Sequence, residues 1–528
     1  MEKRKFRFFA LILVMAVVLC GCGDNKTQTA GGNAAGTTGN STAAGNEQTT
    51  SSTVKDSAVV GIQQDIDSLD PGKAVAAGTK EILFNIYEGL VKPDENGKLV
   101  PAVASDYKIS EDGMTYTFTL RDGITFQDGS LVTTGDIVYS VKRSAGLLET
   151  SDPEVVTEPA LSSISDVKAV DDKTVEITLK AANTELLGYL TCAVVPEDSG
   201  DSLAKTPMGT GPFAFASYTP LEKLVLKKYD GYWGTKAHLT EVTFKIVSDT
   251  DSAMLALQSG SIDIYPYVTS DQAEQLSGNF TILDGTMGLV QGLFLNNENK
   301  LFQDVRVRQA VNYAVDRQAL IDMVGGGKGT ALETDMFPEL TEYYNADTAN
   351  TYSYDPAKAK ELLAEAGYPD GITFTITVPS NYDFHVSTAQ VLVEQLAQAG
   401  ITAKIQEVEE TAWLSDVYTK RNYEATITGL AAKVLMPGRG LSRYASTATN
   451  NFMNYKSDAY DALLAKALAT TDENEKVADY KQLQQMLTDD AASVYLQDPA
   501  LLVAINPDLT GYKFYPIFVQ DMASIAWK

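Results

Sequence analysis

The chain has 528 residues, a formal net charge of −27 and an ordinary globular composition, with 44% hydrophobic and 21% charged residues. Its length exceeds what one hydrophobic core usually serves, so we expect at least two domains. The negative charge argues against nucleic acid as a partner, because an acidic surface repels phosphate backbones, and it suits a protein that stays monomeric.

Residues 1–21 have the three parts of an export signal. A basic stretch at residues 1–7 precedes twelve uncharged apolar residues, 8–19, and small residues follow. Twelve residues are too few to span a bilayer, which takes about 20. The sequence "LCGC" at residues 19–22 resembles the cleavage site of bacterial lipoprotein signals, with Cys22 as the lipid-bearing residue. The alternative is an ordinary secreted protein with incidental cysteines.

Residues 22–56 are predicted to form the lipidated cysteine and a flexible tether. Gly, Ala, Thr and Asn dominate this stretch, which cannot bury enough apolar surface to fold. A flexible coil of this length spans on the order of 30 Å. On this interpretation Cys20 leaves with the signal, Cys192 stays an unpaired thiol, and a body without disulfides begins near Ser57.

Strand and helix patterns alternate along the body, which indicates an α/β architecture. A period of two predicts strands at residues 115–120, 173–179, 372–378 and 402–408. Apolar residues three and four apart predict helices that begin at the N-caps Asp304, Asp355 and Ser387. The first helix is expected to reach residue 324, and Gly367 and Gly400 are expected to end the other two.

No motif in the sequence supports catalysis, a metal or a cofactor. The two histidines, His238 and His385, are far apart, and no Cys/His set has the spacing of a zinc site. The stretch "GGGKGT" at residues 325–330 lacks the first glycine and the final Ser or Thr of a phosphate-binding loop. No Gly-x-Ser-x-Gly nucleophile motif occurs. We therefore expect a protein that is not an enzyme.

The stretch at residues 101–143 resembles the signature of the bacterial family-5 extracytoplasmic solute-binding proteins. These are the oligopeptide-, dipeptide- and nickel-binding lipoproteins of ABC importers. Further blocks follow in the family's order, and the resemblance covers residues 57–528. The blocks are "DSLDP" (67–71), "NIYEGLV" (85–91), "GTGPF" (209–213), "YDGYW" (229–233), "LQSGSIDI" (257–264), "DVRVRQAVNYAVDR" (304–317) and "AKELLAEAGYPDG" (359–371).

The resemblance implies a two-lobed periplasmic-binding-protein-like fold of class II, with a hinge and a ligand cleft between the lobes. Lobe I would comprise residues 57–296, including an extra subdomain at about 90–205, and the C-terminal return at 497–528. Lobe II would be residues 297–496. The hinge would lie where the chain crosses near residues 295–296 and 495–497.

The same resemblance implies a function and a location. The chain would capture a peptide or peptide-like solute outside the cytoplasm and deliver it to the transmembrane subunits of an ABC permease. It would be a monomer held on the cell membrane by the N-terminal lipid. Two alternative functions are a tethered hydrolase and a ligand sensor that signals to a membrane receptor. The absence of a nucleophile motif disfavours the hydrolase.

One position departs from the family's peptide binders. These carry an Asp that pairs with the α-ammonium of the peptide, and Lys433 stands at that position. A lysine facing an ammonium group in a desolvated cleft is repulsive, by several kcal/mol as an order of magnitude. A peptide in the usual pose is therefore disfavoured. The alternatives are a peptide held differently and an anionic non-peptide solute.

The sequence around Lys433 is free of acidic residues. Residues 425–457 contain no Asp or Glu, and their charged residues are Lys433, Arg439, Arg443 and Lys456. In so acidic a chain this window suggests an anion contact by Lys433, Arg439 or Arg443. The alternative is a set of loop residues whose charged ends are solvated.

The resemblance supplies further candidate ligand contacts. Trp413 falls where family members place a tryptophan against the ligand, and Asp65 and Ile66 match a strand end that meets extended peptides. Three hinge-proximal residues could also line the cleft, and these are Gln497, Tyr495 and Phe294.

Overall fold

The structure is a computed structural model that describes residues 55–149, 152–431 and 435–528. The predicted export signal, Cys22, nearly all of the predicted tether, and Lys433 lie outside these residues. Among the helices of the described residues, none is long and apolar enough to cross a membrane.

Most of the strands join one large sheet. The strands are β1 (Ser57–Ile62), β2 (Val91–Pro93), β3 (Leu99–Pro101), β4 (Ala104–Ile109), β5 (Thr115–Leu120), β6 (Ile164–Ala169), β7 (Thr174–Leu179), β8 (Phe213–Thr219), β9 (Lys223–Lys228), β10 (Glu241–Ile246), β11 (Ile264–Pro266), β12 (Thr281–Thr286), β13 (Leu289–Leu295), β14 (Gly329–Ala331), β15 (Ile372–Pro379), β16 (Ile401–Val408), β17 (Ala425–Ala431), β18 (Val494–Ile505), β19 (Leu509–Thr510) and β20 (Ala526–Trp527).

Helices cover the sheets and connect the strands. They are α1 (Ala77–Leu83), α2 (Thr134–Ala145), α3 (Leu186–Tyr189), α4 (Thr250–Gln258), α5 (Ser270–Leu276), α6 (Val305–Tyr313), α7 (Arg317–Gly325), α8 (Pro356–Glu365), α9 (Asp383–Gln398), α10 (Glu410–Ala412), α11 (Pro437–Leu441), α12 (Asp458–Ala469) and α13 (Glu473–Asp489). A π-helical turn, Trp413–Thr419, directly follows α10.

Strand β18 is at the centre of the large sheet. The order is β16-β15-β17-β13-β18-β11-β1-β10-β9-β8, and β12 and β14 also pair with β18. The first half of β18 pairs with β13 and β14, and the second half pairs with β11 and β12. The strands β4, β5, β6 and β7 form a separate four-stranded sheet.

The hydrophobic cores divide in the same way as the partners of the two halves of β18. The α/β fold therefore has two lobes. One set of cores draws on residues such as Leu293, Phe374 and Tyr480. The other set draws on residues such as Val60, Phe118 and Leu257. Residues of β18 belong to cores of both sets.

The predicted strands and helix α8 are confirmed almost residue for residue. Asp355 caps α8 by accepting hydrogen bonds from the backbone N–H groups of Ala357 and Lys358, at 3.0 and 2.9 Å. Gly367 has a φ of +93°, a left-handed conformation that suits glycine where a helix stops.

Two of the predicted helices differ from the structure, one by an internal break and one in its first residue. The helix expected from Asp304 to residue 324 is broken into α6 and α7, because Asp316 accepts a hydrogen bond from the N–H of Ala319 at 3.0 Å and starts a new helix. Helix α9 begins at Asp383 rather than after Ser387, and the acidic side chain of Asp383 lies in its first turn.

A buried ion pair fastens α2 to the loop after β1. Arg143 Nη1 and Nη2 donate to Asp70 Oδ1 and Oδ2 at 3.0 and 2.6 Å. The two side chains are only 7% and 0% exposed. Such a bidentate ion pair is strong because two parallel charge-assisted hydrogen bonds hold the guanidinium and the carboxylate in a fixed geometry.

Removing one partner of this pair should strongly destabilise the protein. The variant Arg143→Met keeps the aliphatic stem but leaves the Asp70 carboxylate buried without its partner, so the free energy of unfolding should fall by about 3–5 kcal/mol. Chemical denaturation measures this change. The control Lys168→Ala removes an ion pair whose lysine is 54% exposed and should cost at most about 1 kcal/mol.

Equal losses for the two variants would contradict the assignment of Asp70–Arg143 as a structural pair. The double variant Asp70→Asn/Arg143→Met should recover part of the stability, because no unpaired charge then remains buried.

Candidate functional site

A large cavity is lined by residues of both lobes. It has a volume of about 720 Å³, within the ~300–1,000 Å³ typical of small-ligand sites. Val268, Leu502 and Phe518 line it from one lobe, and Phe384 and Trp413 line it from the other. We call this space the main cavity.

The walls of the main cavity are largely apolar, and several of their polar groups already have partners. The hydroxyl of Tyr267 donates to Glu81 Oε1 at 2.8 Å, and that of Tyr382 donates to Glu410 Oε1 at 3.2 Å. Lys328 Nζ lies 2.5 Å from a carboxylate oxygen of Asp284. The two tyrosine contacts satisfy hydrogen bonds of the carboxylates, and the Lys328–Asp284 pair balances one positive charge.

Tyr267 occupies an unusual backbone conformation at the edge of this cavity. Its φ is +64°, in the left-handed region that costs a non-glycine residue about 1 kcal/mol or more. Burial and the neighbouring Glu81 raise the pKa of the Tyr267 phenol well above its usual value. The ring therefore stays neutral and lies between the main cavity and a smaller one of about 250 Å³.

A buried amide network lies beside the main cavity at the centre of the sheet. Gln497 on β18 donates to Gln291 Oε1 on β13 at 2.9 Å. Gln291 Nε2 in turn lies 2.9 Å from His385 Nδ1 and donates to Thr388 Oγ1 at 3.0 Å. Because an amide nitrogen donates, Nδ1 of His385 must accept, and the ring proton lies on Nε2. Burial lowers the pKa of His385 to about 4.

Smaller cavities extend the main cavity along the cleft. Phe518 lines the main cavity, the cavity of about 250 Å³ and another of about 390 Å³. Ala431, at the end of β17, lines the 390 Å³ cavity and a fourth one of about 170 Å³. The four cavities are thus neighbours linked by shared wall residues.

A family comparison matches this architecture. The model of the bacterial extracellular solute-binding proteins, family 5 Middle, matches residues 98–452. The chain belongs to this family. It is therefore a substrate-binding protein of an ABC importer and not an enzyme, and it works outside the cytoplasm.

Individual relatives differ in what they bind. Glutathione-binding protein GsiB of Salmonella typhimurium is 30% identical over 478 residues, which cover 87% of this chain and 92% of that protein. DppA from Helicobacter pylori, solved with the peptide STSA, is 29% identical with a TM-score of 0.74 and covers 90% of this chain and 98% of that chain. AgaA from A. tumefaciens R10, solved with agropinic acid, is 29% identical with a TM-score of 0.71 and covers 89% and 99%.

Trp413 and Gln497 lie at or beside the main cavity. Trp413 is 7% exposed, lines the cavity and donates from Nε1 to Thr426 Oγ1 at 2.9 Å. Gln497 is fully buried in the amide network, and its Oε1 has no hydrogen-bond partner among the described residues. Gln497 therefore supports the cavity from behind.

Arg439 and Arg443 line the 170 Å³ cavity, where acids from outside the acid-free window face them. Arg439 Nη1 pairs with Glu158 Oε1 at 3.0 Å. Arg443 shares the cavity wall with Asp335, whose carboxylate is 4% exposed. The basic window of the sequence is thus largely compensated by residues distant in the chain.

Four other predicted residues do not line these cavities. Phe294 and Tyr495 are buried in a core of the second lobe. Ile66 is buried in a core of the first lobe. Asp65 accepts hydrogen bonds from the Tyr218 hydroxyl at 2.8 Å and the Leu221 N–H at 2.9 Å, so it fixes a turn.

Sequence analysis missed Tyr267, His385, Asp335 and Phe518 as cleft residues. No local pattern marks them, because each reaches the cleft only through the pairing of distant strands and loops. Cys192 lines the 390 Å³ cavity, and burial raises the pKa of its thiol to about 11. No cluster of metal ligands occurs within the described residues.

One lobe also inserts a buried carboxylate into the other. Glu185, which directly precedes α3, is 3% exposed and accepts hydrogen bonds from the Gly438 N–H at 3.1 Å and the Tyr480 hydroxyl at 2.8 Å. Lys476 Nζ is 4.0 Å away. Burial raises the pKa of Glu185 above its usual value.

His385 should remain neutral in the folded protein until the pH approaches 4. Nuclear magnetic resonance of the two histidine rings can follow this, and His238→Gln assigns the two signals. Because an unfolded histidine titrates near 6.5, the unfolded state binds the extra proton first as the pH falls from about 6.5 to about 4. The folded state should therefore lose stability across that window, and His385→Gln should reduce the loss. A His385 signal that titrates near 6.5 would contradict the buried environment.

Proposed function

We propose that the protein captures a peptide or peptide-like solute in the cleft and delivers it to the permease of an ABC importer. The observation that carries this proposal is the main cavity, which is large enough for a small peptide and is lined by both lobes. The relatives named for glutathione and solved with the peptide STSA support a peptide-like ligand.

The chemistry of the walls favours a solute whose own charges are balanced. Apolar and aromatic surface from Phe384, Trp413 and Phe518 would contact its uncharged parts. The neutral His385 and the Lys328–Asp284 pair add little net charge to the walls. A strongly charged solute would lose its hydration without an opposite charge to replace it.

A second candidate is an anionic non-peptide solute. Lys433 stands where peptide binders carry an acid, and the relative AgaA was solved with agropinic acid. The pairing of Arg439 with Glu158 weakens this alternative, because it removes one of the cations that an anion would need.

We further propose the limits of the lobes. Residues 57–296 and 497–528 would form lobe I, with a subdomain at about 90–205, and residues 297–496 would form lobe II. The division of the hydrophobic cores supports these limits. The crossings would fall in β13 and β18, so that the amide network of Gln291 and Gln497 would lie at the hinge.

Mass spectrometry should identify the solute. Full-length protein carrying Cys22→Ser, measured under native conditions, should retain a small ligand that is released on denaturation. A ladder of peptides or one peptide-like mass would support the proposal, and one acidic non-peptide mass would support the second candidate. Thr428→Trp fills the main cavity and should abolish retention. Thr119→Trp, an exposed strand position outside the cavity, should not. Retention by the Thr428 variant would contradict the assignment of the cavity.

Anchoring to the membrane should depend on Cys22. In this proposal a lipid on Cys22 holds the protein at the cell surface, so Cys22→Ser should release it into the medium or the soluble extracytoplasmic fraction. Cys20→Ser is the matched control and should stay with the membrane. Fractionation and the mass of the mature N-terminus measure the change. Membrane association that survives Cys22→Ser would contradict the lipid anchor.

A further inference from the structure

A small cavity of about 170 Å³ with charged residues on its wall lies near the main cavity, and we call it the head pocket. It lies along the same strand as the main cavity: Thr428 and Gly429 of β17 line the main cavity, and Leu430 and Ala431 line the head pocket. A solute in the main cavity could extend into it along β17. On the same measure one water molecule needs about 10–15 Å³, so the head pocket has room for a polar group of several atoms.

Asp335 on the wall of the head pocket lacks the partners that a buried carboxylate normally has. The residue is 4% exposed, and its Oδ2 has no hydrogen-bond partner among the described residues. Burial raises its pKa to about 6, although nearby Arg443 opposes the rise. Leaving such a group without partners costs stability, and buried polar atoms of this kind are rare in folded proteins. The fold therefore supplies Asp335 with a nearby opposite charge but with no hydrogen-bond partner for Oδ2.

Arg443 on the same wall is also incompletely used. Its Nη1 lies 3.3 Å from both the Tyr418 hydroxyl and the Asn450 carbonyl oxygen, which are long hydrogen bonds. Its Nε has no partner among the described residues. Arg439 differs, because it is paired with Glu158. The wall of the head pocket thus has one acid and one base, and each has a buried atom without a hydrogen-bond partner among the described residues.

A ligand group that uses both must carry an ammonium for Asp335 and a carboxylate for Arg443. A linear peptide has these groups at opposite ends. A free α-amino acid head has both on one carbon, and it remains free only when the rest of the solute is attached through its side chain, as in a γ-glutamyl peptide. Charge-assisted hydrogen bonds from such a head would give both charged side chains an additional partner.

We propose that the head pocket binds a free α-amino acid head of the solute, with the ammonium on Asp335 and the carboxylate on Arg443. This inference rests on the proposed function, since it specifies which peptide-like solutes the cleft prefers. It selects side-chain-linked peptides over ordinary linear ones.

Two isomeric tripeptides test this inference. Glutathione has a γ-linked glutamate with a free α-amino acid head, whereas linear Glu-Cys-Gly has the same atoms and formal charges without that head. Isothermal titration of the full-length Cys22→Ser protein should show roughly 30-fold or greater preference for glutathione, because the linear isomer would leave a buried charge unpaired. N-acetylglutathione, which lacks the ammonium, should lose a similar factor.

Variants connect the preference to the head pocket. Asp335→Asn and Arg443→Gln keep the approximate shape of each side chain, and each should reduce the preference between the isomers toward one. Asp347→Asn removes an exposed carboxylate of the same lobe and should leave the preference unchanged. Thermal unfolding identifies any variant that fails to fold. The comparison of the two isomers uses the protein with an unmodified head pocket and does not depend on the folding of these variants.

Each contrary outcome has a distinct meaning. Equal binding of the two isomers, or an unchanged preference in folded Asp335→Asn and Arg443→Gln, overturns the head pocket. Binding of linear peptides without any γ-linked one overturns the head pocket and leaves the proposed function intact. Failure of both peptide classes to bind, together with recovery of a non-peptide solute by mass spectrometry, overturns both.

Discussion

Both lobes are built on one strand, β18, and its backbone hydrogen bonds restrict where the molecule can bend. Its first half pairs with β13 and β14, and its second half pairs with β11 and β12. A change in the angle between the lobes must preserve these ladders. The pairing of β13 with β18 already shifts register between Gln291 and Gly292, beside the buried amide network. Bulges of this kind bend a strand locally, so the sheet is already bent beside the main cavity.

The net charge around the basic window at residues 425–457 depends on acids that only the fold brings close to it. Arg439 faces Glu158, Arg443 faces Asp335, and Lys456 Nζ lies 2.5 Å from a carboxylate oxygen of Glu298. Each acid is more than 100 residues away from its base in the chain. The three cations of this window that the structure describes therefore each have an acid nearby. Such a surface discriminates solutes by the placement of their charges rather than by their net charge.

The sequence predicted the local structure well where one signal acts alone. The Asp355 cap, Pro356 and Gly367 placed α8 correctly, because capping and a left-handed stop depend on a few neighbouring residues. The break at Asp316 escaped prediction because the apolar spacing continues through it, and Gln395 from α9 holds its backbone N–H and carbonyl in place. Of the site residues, Trp413, Arg439 and Arg443 reach the cleft walls, whereas Asp335 and Tyr267 had no local signal. Phe294 and Tyr495 were expected to line the cleft. The alternation of side chains along β13 and β18 instead places them in a hydrophobic core.

Two buried carboxylates differ in how strongly they are held. One is paired within a lobe, and the other makes a weaker contact between the lobes. Asp70 is held by Arg143 through two short charge-assisted hydrogen bonds, and both residues stay in one lobe. Glu185 crosses to the other lobe, where Tyr480 and Gly438 donate to it but the nearest cation is 4.0 Å away. When the lobes separate, Glu185 regains its hydration, so the desolvation cost offsets much of the contact's gain. The Glu185 contact therefore adds little to holding the lobes together, and the binding energy of a solute would carry more of the choice between open and closed.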